Sequence, residues 1–440
     1  MENNENKCEN GQKEQDHQID YRRDREWLEK PKHIFILSEA GKPIYTFHGS
    51  EDKLASLFGV MQALVSFVQQ NDDGITAIFA EGYKIVFLVR NSLILVATSR
   101  TNCSTHQMQT QLSYLYNQIL STLTYSRVNR SFEKRKNFDL RILLSGSERI
   151  IDNFLVHDNS VRKVTNDVFS NLTNSISIMK IPITDRNNIV SSIQSSCSKI
   201  KDLIFAILLA KNQLISLVRL KNQTLHPVDL KLIFNLIDCS ESFKSTESWV
   251  PICLPKFDMN GFMYAYITYL SEDCEACLIL MSSDCEAFSV LKEAKSKITD
   301  KLRRNNCFNA INQEIFSNGY NLDALNIPEM VHFVYKPKGI YQIICSEIKP
   351  PYTSVSEFKK LEGIYFDLYR KIHKPHAPLK LIYEVRESEA ALAWVTTTHE
   401  LYAVFQPTVE KNDVIMLVDK LFKAIAKDND NLFIKNHPYF

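Results

Sequence analysis

One order of structural elements recurs three times along this chain: a hairpin, a helix, a three-stranded meander and a closing helix. Alternating apolar and polar residues predict the strands, and apolar residues at helical spacing predict the helices. Little sequence identity connects the copies, so the repeat lies in the order and length of the elements. The pattern predicts an α+β fold class with three domains, each a five-stranded, mainly antiparallel sheet in the order 2-1-5-4-3 flanked by helices.

Turn signals such as Gly41-Lys42-Pro43 and Lys211-Asn212 separate the predicted elements. In the first copy the predicted strands are 32–38, 44–47, 74–79, 83–89 and 93–98, and the helices are 51–70 and 106–124. In the second copy the strands are 203–210, 213–220, 249–254, 262–270 and 276–281, and the helices are 226–237 and 284–303. In the third copy the strands are 330–335, 340–345, 379–385, 390–397 and 401–405, and the helices are 354–372 and 411–426.

A chain of 440 residues with 45% hydrophobic residues is long enough for about three domains, each with its own core. The opening stretch is polar and charged, which predicts a disordered arm. We place the arm at 1–31, the domains at 32–158, 203–304 and 329–440, a helical linker at 159–202 and a second linker at 305–328.

The net charge of +1 gives no overall preference for a polyanion, so nucleic acid is not an expected partner. The arm has no apolar core, so it is not expected to be a signal peptide. The apolar runs stop far short of the roughly 20 residues that span a bilayer, so any membrane contact is expected to be peripheral. Ten scattered cysteines indicate a reducing cytosol rather than a disulfide framework.

Motifs for catalysis and cofactor binding are missing from the sequence. With 11 glycines and neither a P-loop nor a GxGxxG pattern, the chain is not expected to bind a nucleotide. Cys274 and Cys277, with Cys285 nearby, have a metal-like spacing, but a structural zinc needs a second pair or spaced histidines. Ser147 lacks the GxSxG spacing of a nucleophile and, with Glu148, more simply caps a helix. We therefore predict a binding module with no catalytic residue, no metal and no cofactor.

The first long helix carries apolar residues on two sides. The arc expected to face the sheet consists of Leu54, Leu57, Phe58, Met61, Leu64, Val65 and Val68. The opposite stripe consists of Ser56, Val60, Ala63 and Phe67, with Gly59 beside it. A helix that is apolar on two sides must bury both or expose a patch. This stripe packs either against another element of the chain or against a partner, whose backbone the small Gly59 and Ala63 would let approach.

Two other surfaces are candidates for binding. A short strand with Pro43, Ile44 and Tyr45 lies at an edge in the predicted sheet order, where it can recruit a strand of another chain. Pro43 can equally guard that edge against pairing. The densest basic cluster follows the closing helix of the first copy and contacts either anionic lipid or an acidic partner, unless it is a solvated helix end. It consists of Arg127, Arg130, Lys134, Arg135 and Lys136.

Longer runs of residues resemble the SAND or Mon family of vacuolar fusion proteins over residues 32–440. In the first copy the resemblance rests on KHIFILSEAGKPIY, GVMQALVSFV, GYKIVFLVRNSLILVATSR and FDLRILLSGSER. In the second it rests on ILLAKNQLISLVR, LHPVDLKLIFNLI and WVPICLPKF, and in the third on LAWVTTTHELYAVFQP. Runs of this length are far more specific than any short motif.

The resemblance implies three longin domains and a function in membrane traffic. It implies a heterodimer with a Ccz-type protein, itself a chain of three longin domains, that is the guanine-nucleotide exchange factor of the late-endosomal, Rab-seven-type GTPase. It also implies recruitment from the cytosol to endosomes that carry early-endosomal Rab and phosphatidylinositol 3-phosphate. Rab conversion there would precede fusion with the vacuole or lysosome.

An exchange factor needs no catalytic acid or base, because it acts by binding the nucleotide-free Rab better than the nucleotide-bound form. The resemblance makes the second stripe and the neighbouring edge strand the expected platform for the Ccz-type partner and the Rab. The loop expected to lie near the Rab consists of Asn71, Asp72, Asp73 and Gly74. The alternative is a non-catalytic three-longin scaffold subunit of another trafficking complex.

Overall fold

The computed structural model describes residues 25–80, 82–101, 103–155, 168–219, 223–272, 274–316, 319–374 and 376–435. Predictions for residues 1–24 of the arm, 159–167 of the first linker and 436–440 of the third domain lie outside the described residues. The chain divides into two compact units, Met1–Arg100 and Thr101–Phe440. Helices and three largely antiparallel sheets of five or six strands make up the described residues, which confirms the α+β fold class.

The first unit is built on one five-stranded antiparallel sheet. Its strands are β1 (Lys32–Ser38), β2 (Pro43–Thr46), β3 (Ala77–Ala80), β4 (Tyr83–Arg90) and β5 (Leu93–Ser99), and its helices are α1 (Arg25–Glu29) and α2 (Ala55–Gln69). The strand order is β2-β1-β5-β4-β3, as predicted. The turn between β4 and β5 places Asn91 at a φ of 50°, a left-handed conformation that asparagine tolerates better than most residues.

Helix α1 lies within the stretch that the sequence predicts to be disordered. Its Trp27 ring lies 4.0 Å from the ring of His33, and the Trp27 indole N–H donates to the carbonyl of His48 at 3.0 Å. Burial and the neighbouring His48 lower the pKa of His33 to about 4, so this imidazole is neutral under the indole. One large apolar side chain thus anchors an otherwise polar segment to the sheet.

The second unit contains the other two sheets. Its helices are α3 (Thr105–Leu123), α4 (Tyr125–Lys134), α5 (Arg141–Leu144), α6 (Glu148–Leu155), α7 (Ile183–Cys197), α8 (Pro227–Asp238), α9 (Ser242–Ser245), α10 (Phe288–Arg304), α11 (Cys307–Phe316), α12 (Val355–Ile372) and α13 (Lys411–Leu432). Its strands are β6 (Ile176–Ser177), β7 (Leu203–Ala210), β8 (Gln213–Arg219), β9 (Ser248–Leu254), β10 (Asp258–Ser271), β11 (Cys274–Ser282), β12 (Met330–Pro337), β13 (Gln342–Cys345), β14 (Leu381–Val385), β15 (Ala390–Val395) and β16 (His399–Phe405). The strand orders are β8-β7-β11-β10-β9 and β14-β15-β16-β12-β13-β6. Within the described ranges, no helix combines the length and hydropathy needed to cross a membrane.

Helix α3, which closes the first copy of the repeat, belongs to the second unit and packs against β9 and α8 of the second copy. The amide of Asn235 on α8 donates to the side chain of Gln118 on α3 at 3.0 Å. The ammonium of Lys231, also on α8, lies 4.9 Å from the centre of the Tyr114 ring. The repeats in sequence are therefore not the compact units of the fold.

A two-residue strand in the first linker connects the second and third sheets. Strand β6 pairs in parallel with β13, and Ile178 just after it forms a parallel bridge with Leu214 of β8. One short segment thereby covers the edge strands of both sheets. The sequence predicts no strand here, because two residues cannot show alternation and their partner strand lies in the third copy.

The segment after α13 is buried against both of these sheets. Phe433 packs in a core cluster of the third sheet and Ile434 in a core cluster of the second. The fully buried Gln342 of β13 donates to the carbonyl of Ile434 at 2.8 Å and accepts its N–H at 2.9 Å. Arg186 of α7 is also buried and donates to the carbonyls of Met179 and Phe433 at 2.7 and 3.4 Å. Polar side chains therefore hold the segment after α13 between the second and third domains.

Replacing Gln342 with leucine should destabilise the second unit by about 2 kcal/mol or more, because two buried backbone groups of Ile434 lose their partners. Thermal unfolding followed by circular dichroism measures the effect. Gln194→Leu, at an exposed position of α7, is the matched control. Equal melting temperatures for the two variants would show that the hydrogen bonds of Gln342 to Ile434 do not stabilise the unit.

Candidate functional site

Helix α2 buries one side on the first sheet. Leu54, Phe58, Met61 and Val65 recur at intervals of three and four residues, and all are buried. The ring of Phe58 meets that of Phe35 on β1 edge to face at 5.7 Å. These contacts fix which side of α2 faces outward.

The outward side of α2 is apolar and exposed. Phe67 is 68% exposed and Val60 is 56% exposed, and Ser56, Gly59 and Ala63 are exposed as well. Among the described residues of the first unit, no other element covers this stripe. Exposed apolar side chains gathered on one face are typical of an interaction surface.

Leu64 belongs to this exposed side, although the sequence analysis assigns it to the core arc. It is 39% exposed, whereas Val65 is buried. At about 100° per residue, Leu64 lies roughly 90° from the centre of the buried side, beyond the reach of the sheet. It extends the apolar surface that Val60 and Phe67 begin. We define the outer stripe of α2 as Ser56, Gly59, Val60, Ala63, Leu64 and Phe67.

Gly59 packs against no neighbouring group among the residues that the structure describes. A methyl group added at its Cα would find no heavy atom within 4 Å. A glycine in the middle of a helix costs about 1 kcal/mol relative to alanine. The open space around Gly59 is a place where the backbone of a partner can approach α2 closely.

The loop after α2 is held by local hydrogen bonds. The side-chain amide of Asn71 donates to the carbonyl of Phe67 at 2.9 Å, and the Gly74 N–H donates to the Asp73 carboxylate at 2.7 Å. Asp72 has a left-handed φ of 56°. Neither Asp72 nor Asp73 has an ion-pair partner within the described ranges. The apolar stripe thus ends beside two carboxylates that can receive the cationic side chains of a partner.

The edge strand β2 does not offer the contact residues expected of it. Ile44 and Tyr45 are each 5% exposed, so their side chains belong to the interior of the chain. Pro43 has no N–H, and the Thr46 N–H donates to the Glu51 carboxylate at 3.1 Å. Of the two interpretations of this edge, the structure therefore favours protection against strand pairing.

Phe79 is an exposed aromatic side chain that the sequence analysis overlooks. It lies on the edge strand β3 and is 69% exposed, while its neighbour Ile78 packs against the core beneath α2. Successive residues of a strand point to opposite faces, so Phe79 lies on the face away from α2. The two-residue alternation alone could have revealed it. The structure does not bring Phe79 to the outer stripe.

The basic cluster lies in the second unit, on α4 and directly after it. All five of its residues are exposed, while Val128 and Phe132 anchor the opposite side of the helix. None of the five has an ion-pair partner among the residues that the structure describes. The cluster is therefore available to an external anion.

A buried carboxylate anchors the hairpin between β9 and β10, which packs beside α4. Asp229 in the first turn of α8 is fully buried, and its two oxygens accept the Lys256 N–H at 3.1 and 3.2 Å. Burial raises the pKa of Asp229 to about 7 against these hydrogen bonds. This group has a structural role, since its partners are backbone groups of a turn.

The stability of the second unit should fall as the pH rises from about 4 to about 7, because folded Asp229 keeps a proton that the unfolded chain has released. Asp229→Asn keeps an acceptor oxygen and removes the free-energy cost of ionising a buried carboxyl group. The variant should be stabilised relative to the natural chain by up to about 4 kcal/mol at pH 8 and least at pH 4. Thermal unfolding across pH measures the difference. Asp300→Asn at an exposed position is the control, and a difference that does not vary with pH would contradict the assignment.

The described ranges show no metal site. No group of three or more His, Cys, Asp or Glu side chains there could hold a metal ion. Cys274 and Cys277 are buried in β11, while Cys285 is exposed. The described surfaces are built for contact through apolar and charged side chains.

The fold defines a protein of three longin domains. Residues 32–154, 201–300 and 329–429 match, in order, the families described as the first, second and third longin domain of FUZ, MON1 and HPS1.

Similar full-length proteins point to one branch of that class. The chain is 42% identical over 411 residues to vacuolar fusion protein MON1 homolog A of Gallus gallus, covering 93% of this chain and 73% of that protein. It is 41% identical over 408 residues to MON1 homolog A of Homo sapiens, covering 93% and 61%. It is 40% identical over 408 residues to Protein SAND of Takifugu rubripes, covering 93% and 77%. The chain belongs to the MON1 (SAND) family of vacuolar fusion proteins, which confirms the resemblance and supports a role in vacuole fusion and membrane traffic.

Phe67→Asp should change the free energy of unfolding of the first unit by no more than about 0.5 kcal/mol, because the side chain is exposed. Phe58→Asp, on the same helix, should unfold the unit by burying an unpaired charge. Limited proteolysis and thermal unfolding of the two variants measure this contrast. An equal loss of stability in the two variants would show that the outer stripe is covered.

Proposed function

We propose that this chain is a subunit of a guanine-nucleotide exchange factor that activates the late-endosomal, Rab-seven-type GTPase together with a Ccz-type partner of three longin domains. The factor would convert early endosomes into late endosomes and prepare them for fusion with the vacuole or lysosome. The observation that carries the proposal is the outer stripe of α2, an exposed apolar surface on a chain of the MON1 family.

The chemistry of this surface suits an exchange factor. Nucleotide release needs no acid, base or nucleophile from the protein, only tighter binding to the empty GTPase than to the loaded one. Burying a side chain as large as Phe67 is worth about 1.5–3 kcal/mol, so a few such contacts can supply the difference. An apolar stripe that ends at Asp72 and Asp73 provides both hydrophobic contact and charge.

The proposed roles divide along α2. Val60, Ala63 and Phe67 would contact the Ccz-type chain or the switch regions of the GTPase. Gly59 would admit a closely packed partner helix, and the loop Asn71 to Gly74 would lie near the GTPase. The second and third domains would assemble with their counterparts in the partner, and the complex would act on endosomes that carry early-endosomal Rab and phosphatidylinositol 3-phosphate.

The test is release of a fluorescent guanine nucleotide from the late-endosomal GTPase. The chain together with the Ccz-type partner should accelerate release from this GTPase and not from other Rabs, while the chain alone should not. Phe67→Asp should slow exchange at least tenfold, which corresponds to about 1.4 kcal/mol of lost contact. The matched control is Phe79→Asp, equally exposed in the same unit but on the opposite face of the sheet.

Two outcomes would count against the proposal. Full exchange activity of Phe67→Asp with a stable heterodimer would remove α2 from the site. A stable heterodimer that accelerates no Rab would favour the alternative, a non-catalytic scaffold subunit of a trafficking complex. That alternative draws on the same longin families, whose descriptions name FUZ and HPS1 beside MON1.

A further inference from the structure

Strand β14 is the outermost strand of the third sheet, and within the described residues no further strand lies beyond it. The Val395 N–H donates to the carbonyl of Lys380 at 2.8 Å, so the backbone groups of Lys380 point towards β15. Backbone groups alternate in direction along an antiparallel strand. The N–H and carbonyl groups of Leu381, Tyr383 and Val385 therefore point to the open edge, where another strand can pair with them.

The same three residues carry apolar side chains on one face of the sheet. Leu381 is 52% exposed and Val385 is 63% exposed, while Tyr383 packs against the core beneath α13. The Tyr383 hydroxyl donates to the carbonyl of Val409 at 3.3 Å, which fixes the middle of the strand. The edge thus offers backbone hydrogen bonds and apolar side chains together.

Strand β14 lacks the devices that usually prevent strand pairing. It has no proline and no bulge, and its ladder with β15 runs without a register shift. Its one charged residue, Glu384, lies on the opposite face, where it pairs with Lys371 at 2.6 Å and with Arg386 at 3.2 Å. The edge strand β2, in contrast, begins with Pro43. Strand β14 is therefore an edge that is open to another strand.

We propose that this edge binds a second copy of the chain, so that two β14 strands pair antiparallel about a two-fold axis at Tyr383. The axis places Leu381 of each copy opposite Val385 of the other, and the two Tyr383 residues opposite each other. All three pairs are of the hydrogen-bonded type, because all of these residues direct their backbone groups outward. The third sheets of the two copies would then form one continuous sheet.

The sequence of β14 complements itself in this arrangement. The exposed leucine and valine lie at equal distances from Tyr383, so each apolar side chain meets an apolar side chain of the second copy. Directly opposed side chains are the contacts that stabilise neighbouring strands. Among antiparallel registers, only this one pairs all three outward-facing residues of β14 with their counterparts, so the strand fits a second copy of itself.

Charges on the opposite face of the sheet also fit a second copy. Lys380 is exposed, and in the two-fold arrangement it lies diagonally across from Glu384 of the second copy, within reach of a long side chain. The residue directly opposite Lys380 is Arg386, which is bound in its own chain to Asp367 at 2.9 Å and to Glu384 at 3.2 Å. Two contacts between a lysine and a carboxylate therefore accompany the apolar pairs.

Pairing through one five-residue strand buries a small interface, so we expect an association that is weak and depends on concentration. Collecting several copies at one site in the cell would raise their effective concentration and favour the pair. The inference goes beyond the proposed exchange function and rests on no part of it.

Sedimentation equilibrium of the full chain tests the proposal, over concentrations from about 1 to about 100 µM where weak complexes dissociate. The average mass should rise with concentration towards twice the mass of one chain. Leu381→Lys and Val385→Glu should each weaken association at least tenfold, because each places an unpaired charge against an apolar side chain. A mixture of these two variants should associate again, because the new lysine of one chain lies opposite the new glutamate of the other.

Val385→Pro tests the backbone contribution. It removes an N–H that points to the open edge and breaks no hydrogen bond to β15, so it should abolish association and leave the fold intact. The matched control is Val290→Lys, at an exposed valine of α10, which should associate as the natural chain does. Circular dichroism confirms folding of each variant. The measurement contains no GTPase, so exchange and self-association can fail independently of each other.

Four results would overturn the proposal. The first is a natural chain that remains a monomer over the whole range, and the second is association that survives Leu381→Lys, Val385→Glu and Val385→Pro. The third is a mixture of the two charged variants that associates no better than either variant alone. The fourth is a monomeric chain whose complex with the Ccz-type partner is weakened by Leu381→Lys, which would assign the edge to that partner.

Discussion

Unpaired backbone groups at the edges of the sheets are the constraint on which this structure depends. An edge strand exposes N–H and C=O groups that will pair with any strand that reaches them. The first sheet protects β2 with Pro43 and with the carboxylate of Glu51. The second and third sheets instead share β6 and Ile178 as a common cover for β8 and β13. Helix α3 lies against β9, which carries the exposed Pro251 within its length. Because β6 and Ile178 cover edge strands of both sheets, they also hold the second and third domains together.

Buried polar and ionisable side chains serve this architecture. Arg186 and Gln342 hold the chain end, Lys231 donates to the carbonyl of Ser170 at 2.9 Å, and Asp229 holds a turn. Burial lowers the pKa of Arg186 to about 10, which leaves it charged at neutral pH and able to bind carbonyl oxygens. Shifted pKa values often mark active sites, but here the partners are main-chain groups of connecting segments. Arg186, Lys231 and Asp229 therefore have structural roles.

Two exposed surfaces differ in what they can recognise. The outer stripe of α2 is a continuous apolar ridge on a regular helix, a shape that fits the side chains of another folded protein. The outward side of α4 instead presents the exposed cations Arg127, Arg130 and Lys134. Neither requires a bound cofactor for its chemistry.

The sequence alone determined the local elements and the two-sided character of α2. Alternation in β1, β4 and β5 and the turn residues between them were enough to predict the strands and hairpins of the first sheet, because those depend on short-range signals. The apolar residues opposite Phe58 were likewise visible, although their exposure was not. Tertiary structure decided that Ile44 and Tyr45 are interior, that Leu64 belongs to the exposed side, and that α3 packs on the second copy. It also decided the pairing of β6 with β13 and the burial of Ile434. Except for Leu64, each of these depends on contacts between residues far apart in the chain, and no local pattern of side chains records them.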